Sequence, residues 1–210
     1  MCRGLLLTIT PMTVAIVKYN AGNIYSVVHA LKRIGIEPVV TDDVEILQKA
    51  DRILFPGQGE ASKTMTYLRE HKLDRLLLDF KQPVLGICIG QQLMCRYSEE
   101  GNVDCLGIFD VDVKRFNPVL HADKVPHMGW NTLHQMKSDL FKGLDVNNTY
   151  AYFVHSYYVP ICEDTIAVTD YIHSFSAAMH KGNFYATQFH PEKSGDVGEQ
   201  ILRNFINLSV

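Results

Sequence analysis

A cysteine between two glycines is the feature of this sequence most suited to chemistry. Gly86, Cys88 and Gly90 lie in the segment 83–94, where an apolar run predicts a buried strand and the next residues predict a helix. The thiol would stand at a sharp strand-to-helix turn, where small neighbours relieve steric crowding. The positive field at the start of a helix favours the reactive thiolate. Cys88 is therefore a candidate nucleophile, and the alternative is a buried structural cysteine between two incidental glycines.

A thiolate nucleophile requires a base and a group that orients that base. His190 ends a predicted strand and is followed by Pro191 and Glu192. Alternation along an extended chain would place the imidazole and the carboxylate on the same side, where the carboxylate can fix the imidazole tautomer. An ordinary strand-end histidine beside a solvated carboxylate is the structural alternative. The presence of Cys88 upstream favours the catalytic interpretation.

Length, charge and cysteine usage argue against several classes of function. A chain of 210 residues fits one domain. The net charge of -3 and the lack of a basic run give no electrostatic reason to expect nucleic acid or an anionic membrane as a partner. The five cysteines include no C-x-x-C pair, so neither a disulfide framework nor a metal site is indicated, and a reducing cytoplasm is the expected compartment. No run approaches the ~18 apolar residues of a membrane span.

The elements that must position these residues alternate in type along the first half of the chain. Short apolar strands are predicted at 13–17, 38–40, 53–55 and 84–87, with amphipathic helices between them. This alternation predicts an α/β fold with a mostly parallel sheet and helices on both faces. Ligands gather at the carboxyl ends of such strands, where Cys88 and the loop 56–59 would lie.

The second half is predicted to be richer in antiparallel structure. Apolar and polar residues alternate from Phe109 to Lys114, and extended runs follow at 131–136, 150–159, 165–169 and 184–189. A closing helix is expected over 197–208. Residues 1–11 are expected to be an N-terminal extension outside the fold, and 12–210 a single domain with an antiparallel insertion.

Three segments together resemble the triad-type, class I glutamine amidotransferase family. They are the Gly-x-Cys-x-Gly stretch 86–90, the Pro-Gly-x-Gly loop 56–59, and the stretch 188–194 around His190. Within that family the chain is most similar to glutaminase subunits of imidazole glycerol phosphate synthases, because of the stretches 124–131 and 152–157. The resemblance runs from about Thr13 to the last residue, and it implies a flavodoxin-like fold.

The resemblance implies an activity and a partner. The activity is hydrolysis of glutamine to glutamate and ammonia, with no cofactor and no metal. The ammonia would be channelled, within a heterodimer, to a cyclase subunit with a (β/α)₈ barrel. That subunit would make imidazole glycerol phosphate and AICAR in histidine biosynthesis.

The resemblance also implies roles for individual residues. Cys88 would attack the glutamine amide, His190 would transfer protons, and Glu192 would orient His190. Backbone N–H groups aimed at a developing oxyanion stabilise it. The further implied residues are Gly57, Gln58 and Ile89 at the oxyanion hole; Gln92, His155, Ser156 and Tyr157 at the substrate; and Asn23, Trp130 and Tyr152 at the partner interface.

Some alternatives stay open at this point. Gln58 stands where the family usually has a small apolar residue, so the sequence leaves the gating of the oxyanion loop undecided. Asn23, Trp130 and Tyr152 could equally be a turn former, a buried indole and a strand aromatic. The whole chain could also be a cysteine hydrolase or peptidase, a subunit that binds a partner without turnover, or the amidotransferase subunit of another synthase such as anthranilate synthase.

Overall fold

The computed structural model describes residues 12–19, 24–57, 59–118, 120 and 124–209. The predicted extension 1–11 lies outside the described residues. The first half alternates strands and helices, as the sequence predicts. Its elements are β1 (Val14–Val17), α1 (Ile24–Arg33), β2 (Val39–Thr41), α2 (Val44–Lys49), β3 (Arg52–Gly57), α3 (Ala61–Glu70), α4 (Leu73–Asp79), β4 (Val84–Cys88) and α5 (Ile89–Met94).

Strands dominate the second half until the closing helix. Its elements are β5 (Cys95–Ser98), β6 (Val103–Asp104), β7 (Phe109–Arg115), β8 (His127–Thr132), β9 (Tyr150–His155), β10 (Tyr157–Tyr158), β11 (Thr165–Asp170), β12 (Ser174–Lys181), β13 (Phe184–Thr187) and α6 (Gly195–Ile206), with 3₁₀ turns at Asp139–Phe141 and Pro191–Lys193.

The central sheet has seven strands in the order β11-β12-β13-β4-β3-β1-β2. Strands β2, β1, β3, β4 and β13 are parallel, and β12 and β11 extend the sheet in antiparallel fashion. The parallel part repeats the flavodoxin-like order 2-1-3-4-5. The α/β, flavodoxin-like prediction is confirmed.

Both faces of the sheet are covered, so its strands are apolar throughout. In β1, Val14 and Ile16 pack on the side of α1 and α6, and Ala15 and Val17 pack on the side of α2 to α5. All four residues are buried. This is why the parallel strands appear in the sequence as continuous apolar runs.

The antiparallel additions form two smaller units. One is a four-stranded sheet in the order β10-β7-β5-β6. The other pairs β8 with β9, from His127 opposite His155 to Thr132 opposite Tyr150, and is called the β8–β9 ribbon below. In the described part of the chain, no helix combines the length and the apolar character that a membrane span requires.

Several sequence predictions in this half are wrong in detail. The run predicted at 131–136 is displaced, because the strand starts at His127, whose polar side chain gave no strand signal yet is buried. The run predicted at 150–159 is interrupted at Ser156. Strand β12 was not predicted, because its serines and alanines have weak strand preference and are held by neighbouring strands.

Candidate active site

Cys88 ends β4 in a strained conformation. Its φ is 56° and its ψ is -105°, a region that side-chain-bearing residues rarely adopt. A Cβ on Gly90 would lie 2.1 Å from the carbonyl oxygen of Phe55, and one on Gly86 would lie 2.9 Å from the carbonyl carbon of Gly90. Both glycines are therefore required by close backbone approach, and the strand-to-helix turn predicted from the sequence is present.

His190 and Glu192 form a buried pair. Nδ1 of His190 lies 2.8 Å from Oε1 of Glu192, and both side chains are almost fully shielded from solvent. The prediction that an extended strand aligns them is wrong, because the 3₁₀ turn that starts at Pro191 folds the carboxylate back to the ring. A carboxylate only accepts, so Nδ1 of His190 carries a proton and Nε2 is the atom left for chemistry.

The electrostatics of His190 are set by Cys88 and Glu192. Burial alone would lower the pKa of His190, but the negative charge of the Cys88 thiolate and the hydrogen-bonded Glu192 carboxylate raise this pKa to about 10. Nε2 of His190 is buried and has no hydrogen-bond partner among the described residues. At neutral pH, the arrangement therefore favours an imidazolium that can donate a proton from Nε2 beside the cysteine sulfur.

A pocket of about 350 Å³ opens beside the cysteine, a size suited to a small ligand. It collects residues from β4, α5, β9 and the segment before the closing helix. Seven of the residues singled out in the sequence lie on its wall. The lining residues are Gly59, Cys88, Ile89, Gln92, Glu100, Pro126, Val154, His155, Ser156, Tyr157 and His190.

The remaining predicted site residues lie elsewhere. Trp130 and Tyr152 are on the β8–β9 ribbon, away from the pocket wall. Glu192 lies behind His190. Asn23 and Gln58 fall outside the described residues.

Gly57 is fixed in the sheet next to the pocket. It pairs with Cys88 in the β3–β4 register. A Cβ on Gly57 would lie 1.9 Å from the hydroxyl oxygen of Tyr19, which donates a hydrogen bond of 2.6 Å to the carbonyl oxygen of Pro56. Burial, and then the nearby Cys88, raise the pKa of Tyr19, so its hydroxyl stays a donor. Beyond Gly57, Gly59 has a φ of 151° with room for a Cβ, so a side chain at Gly59 is disfavoured by the backbone angle and not by crowding.

Gln188 connects the substrate wall to the nucleophile, and the sequence analysis gave it no role. The side-chain nitrogen of Gln92 donates to the carbonyl of Tyr157 and to the side-chain oxygen of Gln188, both at 2.9 Å. The nitrogen of Gln188 in turn lies 3.7 Å from the sulfur of Cys88. Its position two residues before His190 at the end of a buried strand was the available signal.

Glu100 is a second residue that sequence reasoning missed. Its carboxylate lines the pocket, and Oε2 accepts a hydrogen bond of 2.9 Å from the backbone N–H of Ala61. Partial burial raises the pKa of Glu100, an effect that the Ala61 hydrogen bond opposes. Glu100 lies in the turn after β5, where an acidic residue looks like an ordinary surface charge.

Ser194 ties His190 to the β8–β9 ribbon. The backbone N–H of His190 donates to the carbonyl of Tyr152 at 2.9 Å. The hydroxyl of Ser194 accepts from the N–H of Tyr152 at 2.9 Å and donates to the carbonyl of His190 at 2.7 Å. The strand that carries Tyr152 and the segment that carries His190 are thus joined by two hydrogen bonds, and the third holds Ser194 to His190 within that segment.

The outer face of the ribbon is exposed and apolar. Met128 and Trp130 are 64% and 58% exposed, and Tyr150 is 46% exposed. Trp130 meets Tyr152 edge to face across the ribbon, with ring centroids 6.2 Å apart. Trp130 is therefore not a buried indole, which removes one structural explanation for its presence.

Comparisons with known proteins agree on one family. The family model for glutamine amidotransferase class-I matches residues 15–208. The chain is 64% identical over 197 residues to imidazole glycerol phosphate synthase subunit HisH of Bacteroides fragilis (strain YCH46), covering 94% of this chain and 100% of that protein. It is 43% identical over 199 residues to the subunit of the same name from Pectobacterium atrosepticum, with 94% and 100% coverage. A solved structure of a glutamine amidotransferase shares the fold, with a TM-score of 0.69 at 20% identity over 91% of this chain and 96% of that one.

Proposed function

The chain belongs to the glutamine amidotransferase class-I family, and from that membership we propose that it is the glutaminase subunit of an imidazole glycerol phosphate synthase. It would hydrolyse glutamine and deliver the ammonia to a cyclase subunit with a (β/α)₈ barrel, which makes imidazole glycerol phosphate and AICAR. The observation that carries the proposal is the buried Glu192–His190 pair facing Cys88 in a pocket. We place the reaction in the cytoplasm, in a single domain over 12–210.

The reaction proceeds through a thioester on Cys88. The thiolate attacks the carboxamide carbon of glutamine, and the amide oxygen becomes an oxyanion. His190, as imidazolium, gives its Nε2 proton to the amide nitrogen, and ammonia leaves. Neutral His190 then takes a proton from water, hydroxide adds to the thioester, and glutamate departs as Cys88 returns to thiolate. Glu192 keeps the ring oriented and stabilises its charged form in both steps.

The pocket wall supplies recognition for an amino acid. The Glu100 carboxylate gives the substrate α-ammonium group an ionic partner. The backbone from His155 to Tyr157 also lines the pocket, where N–H groups can meet the α-carboxylate. Two charged ends bound in this way place the side-chain amide at the sulfur.

The oxyanion loop is the proposed point of control. The N–H of Ile89 is one donor, and a second comes from the loop that includes Gly57 and Gln58. Gly57 pairs with Cys88 at the end of β3, and we place the peptide that turns in the loop 57–59 that follows. The synthase partner and its ligand would favour the orientation that aims an N–H at the oxyanion, to the extent that they bind that state better.

Gly59→Ala tests this control more cleanly than a substitution at Gly57. A side chain at Gly57 would collide with Tyr19, whereas a Cβ at Gly59 has space and is disfavoured only by the φ of 151°. Gly59→Ala should therefore reduce activation by the partner while complex formation is retained. Equal activation in wild type and variant would contradict a turning peptide at this position.

The exposed apolar face of the ribbon is the proposed partner surface. It includes Trp130 and borders Tyr152, which is bonded to the segment of His190. Contact with the cyclase subunit at this face would reach the catalytic histidine through backbone hydrogen bonds. Asn23, outside the described residues, is included in this proposal on the family resemblance alone.

Steady-state glutamate release tests the proposed function. It should be measured for the chain alone, with the cyclase subunit, and with that subunit and its bound substrate. We expect weak activity alone and a rise of about a hundredfold or more, some ~2.7 kcal/mol of transition-state stabilisation, in the full mixture. Equal rates in the three mixtures would contradict gating, and no glutamate in any of them would contradict the function.

A further inference from the structure

A chain of hydrogen bonds runs beneath the β8–β9 ribbon to the pocket wall. The side-chain nitrogen of Asn131 lies 3.2 Å from Nε2 of His127, and Nδ1 of His127 lies 3.0 Å from Nε2 of His155. Nδ1 of His155 lies 2.7 Å from the carbonyl oxygen of Tyr157. None of these side chains takes part in the proposed reaction steps.

The partners at both ends of this series of hydrogen bonds determine which atom donates in each one. The carbonyl of Tyr157 can only accept, so Nδ1 of His155 carries the proton and Nε2 is its acceptor. His127 must therefore donate from Nδ1. At the other end, the side-chain oxygen of Asn131 accepts from the N–H of Thr132 at 2.8 Å, which leaves its nitrogen as the donor to Nε2 of His127. Every donor meets an acceptor only when both rings are neutral with the proton on Nδ1.

The surroundings maintain this neutral form. The ring of His127 is stacked on Tyr171, with centroids 4.1 Å apart, and His155 lies among aromatic rings that include Phe116 and Phe175. Burial lowers the pKa of His127 to about 4. Burial, first, and the neighbouring histidines lower the pKa of His155 to about 3, against the opposing effect of its bond to Tyr157.

The series of hydrogen bonds ends at the part of the pocket wall that is proposed to bind the substrate. The carbonyl of Tyr157 accepts a second hydrogen bond from Gln92, so it is held from two directions. His155, Ser156 and Tyr157 all line the pocket beside Cys88. Fixing that carbonyl fixes the peptide plane that follows Tyr157, at the end of this part of the pocket wall.

We propose that His127 is a positioning residue for glutamine binding, acting through His155 on the Tyr157 carbonyl. The proposal rests on the proposed glutaminase function. His127 lies on the inner face of β8, and its neighbour Met128 is exposed on the outer face. A shift of the ribbon therefore reaches the substrate wall through this chain of hydrogen bonds.

Kinetics of three variants test the positioning role, with the full chain and its cyclase subunit present. His127→Phe keeps an aromatic ring against Tyr171 but removes both hydrogen bonds, leaving a buried acceptor on His155 without its donor. The KM for glutamine should rise about tenfold, with kcat within about threefold of wild type. His127→Asn keeps a donor at the position of Nδ1 and should bring KM back to within about threefold of wild type. The matched control is His180→Phe, because His180 also stacks on a tyrosine, Tyr185, at 4.0 Å, outside the pocket; it should leave KM unchanged.

Nitrogen-15 NMR of the imidazole rings tests the hydrogen-bond chain without reference to activity. Signals are assigned by their loss in His127→Phe and in His155→Phe. We expect both rings in wild type to be neutral at pH 7 with the proton on Nδ1. A proton on Nε2 of either ring would overturn the chain, and an unchanged KM or an equal fall in kcat for His127→Phe would overturn its role. Absence of glutamine hydrolysis by the wild type would instead refute the proposed function, and the tautomers would still be measured.

Discussion

Replacing Glu192 by glutamine separates the work of the orienting group from that of the base. In the wild type, Nδ1 of His190 donates to a buried carboxylate oxygen at 2.8 Å. Glu192→Gln keeps an acceptor there but removes the negative charge opposite the imidazolium, a loss of about 1–1.5 kcal/mol, or roughly tenfold in kcat. His190→Asn removes proton transfer itself, which contributes about 10²–10⁴-fold. The base substitution should therefore be far more damaging than the orienter substitution.

The pH profile of kcat/KM gives a second, independent measure of the same pair. The carboxylate raises the pKa of His190, so Glu192→Gln should move the alkaline limb of glutamate release to lower pH. Both variants should be compared with wild type by steady-state glutamate release, after circular dichroism shows matched folding. Equal losses in the two variants, or an alkaline limb that does not move in Glu192→Gln, would refute this division of roles.

The same pKa has a consequence for stability. The folded-state pKa of His190, about 10, lies above its ordinary value of 6.5. The folded protein therefore holds this proton more tightly, and the contribution is complete below about pH 6.5 and is lost as pH rises towards 10. Denaturant unfolding should show this decline in wild type, and His190→Asn should flatten it.

Three further substitutions test other parts of the structure. Glu100→Gln should raise the KM for glutamine about ten- to a hundredfold with little change in kcat, because an ionic partner of the substrate is lost; an unchanged KM would remove Glu100 from the substrate site. Ser194→Ala should lower the free energy of unfolding by about 1–3 kcal/mol, because the N–H of Tyr152 loses its acceptor. As a control, substitution of the exposed Ser174 by alanine should cost less than about 0.5 kcal/mol. Equal urea midpoints for the two variants would contradict this. Arg52→Met should cost about 3 kcal/mol in urea unfolding, since the buried guanidinium donates to carbonyls at the end of the closing helix, and a loss under about 1 kcal/mol would contradict that.

The parallel sheet and the cysteine turn were predictable because their causes are local. Continuous apolar runs mark strands that are buried on both faces, and β1 is buried throughout. Gly86 and Gly90 are needed because neighbouring backbone atoms occupy the space that a Cβ would take. The sequence shows this need as the Gly-x-Cys-x-Gly spacing around Cys88. The alternation of strands and helices predicted the mostly parallel sheet, whereas the flavodoxin-like fold was implied by the family resemblance.

The features that the sequence did not predict depend on contacts between distant parts of the polypeptide. Glu100 reaches the pocket because Ala61 on another element binds its carboxylate. Strand β12 exists because strands on both sides supply its hydrogen bonds. The hydrogen bond between His127 and His155 joins β8, whose first residue gave no strand signal, to the distant strand β9. Such tertiary causes leave no periodicity in the sequence.

The most direct test of the account is the behaviour of Cys88→Ala in the complex with the cyclase subunit. Product formation should be followed with glutamine and, separately, with ammonium salt as the nitrogen source. The variant complex should make imidazole glycerol phosphate from ammonium salt at the wild-type rate and make none from glutamine, because only the nucleophile is lost. Normal glutamine-dependent turnover by Cys88→Ala would contradict the assignment of Cys88 as the nucleophile.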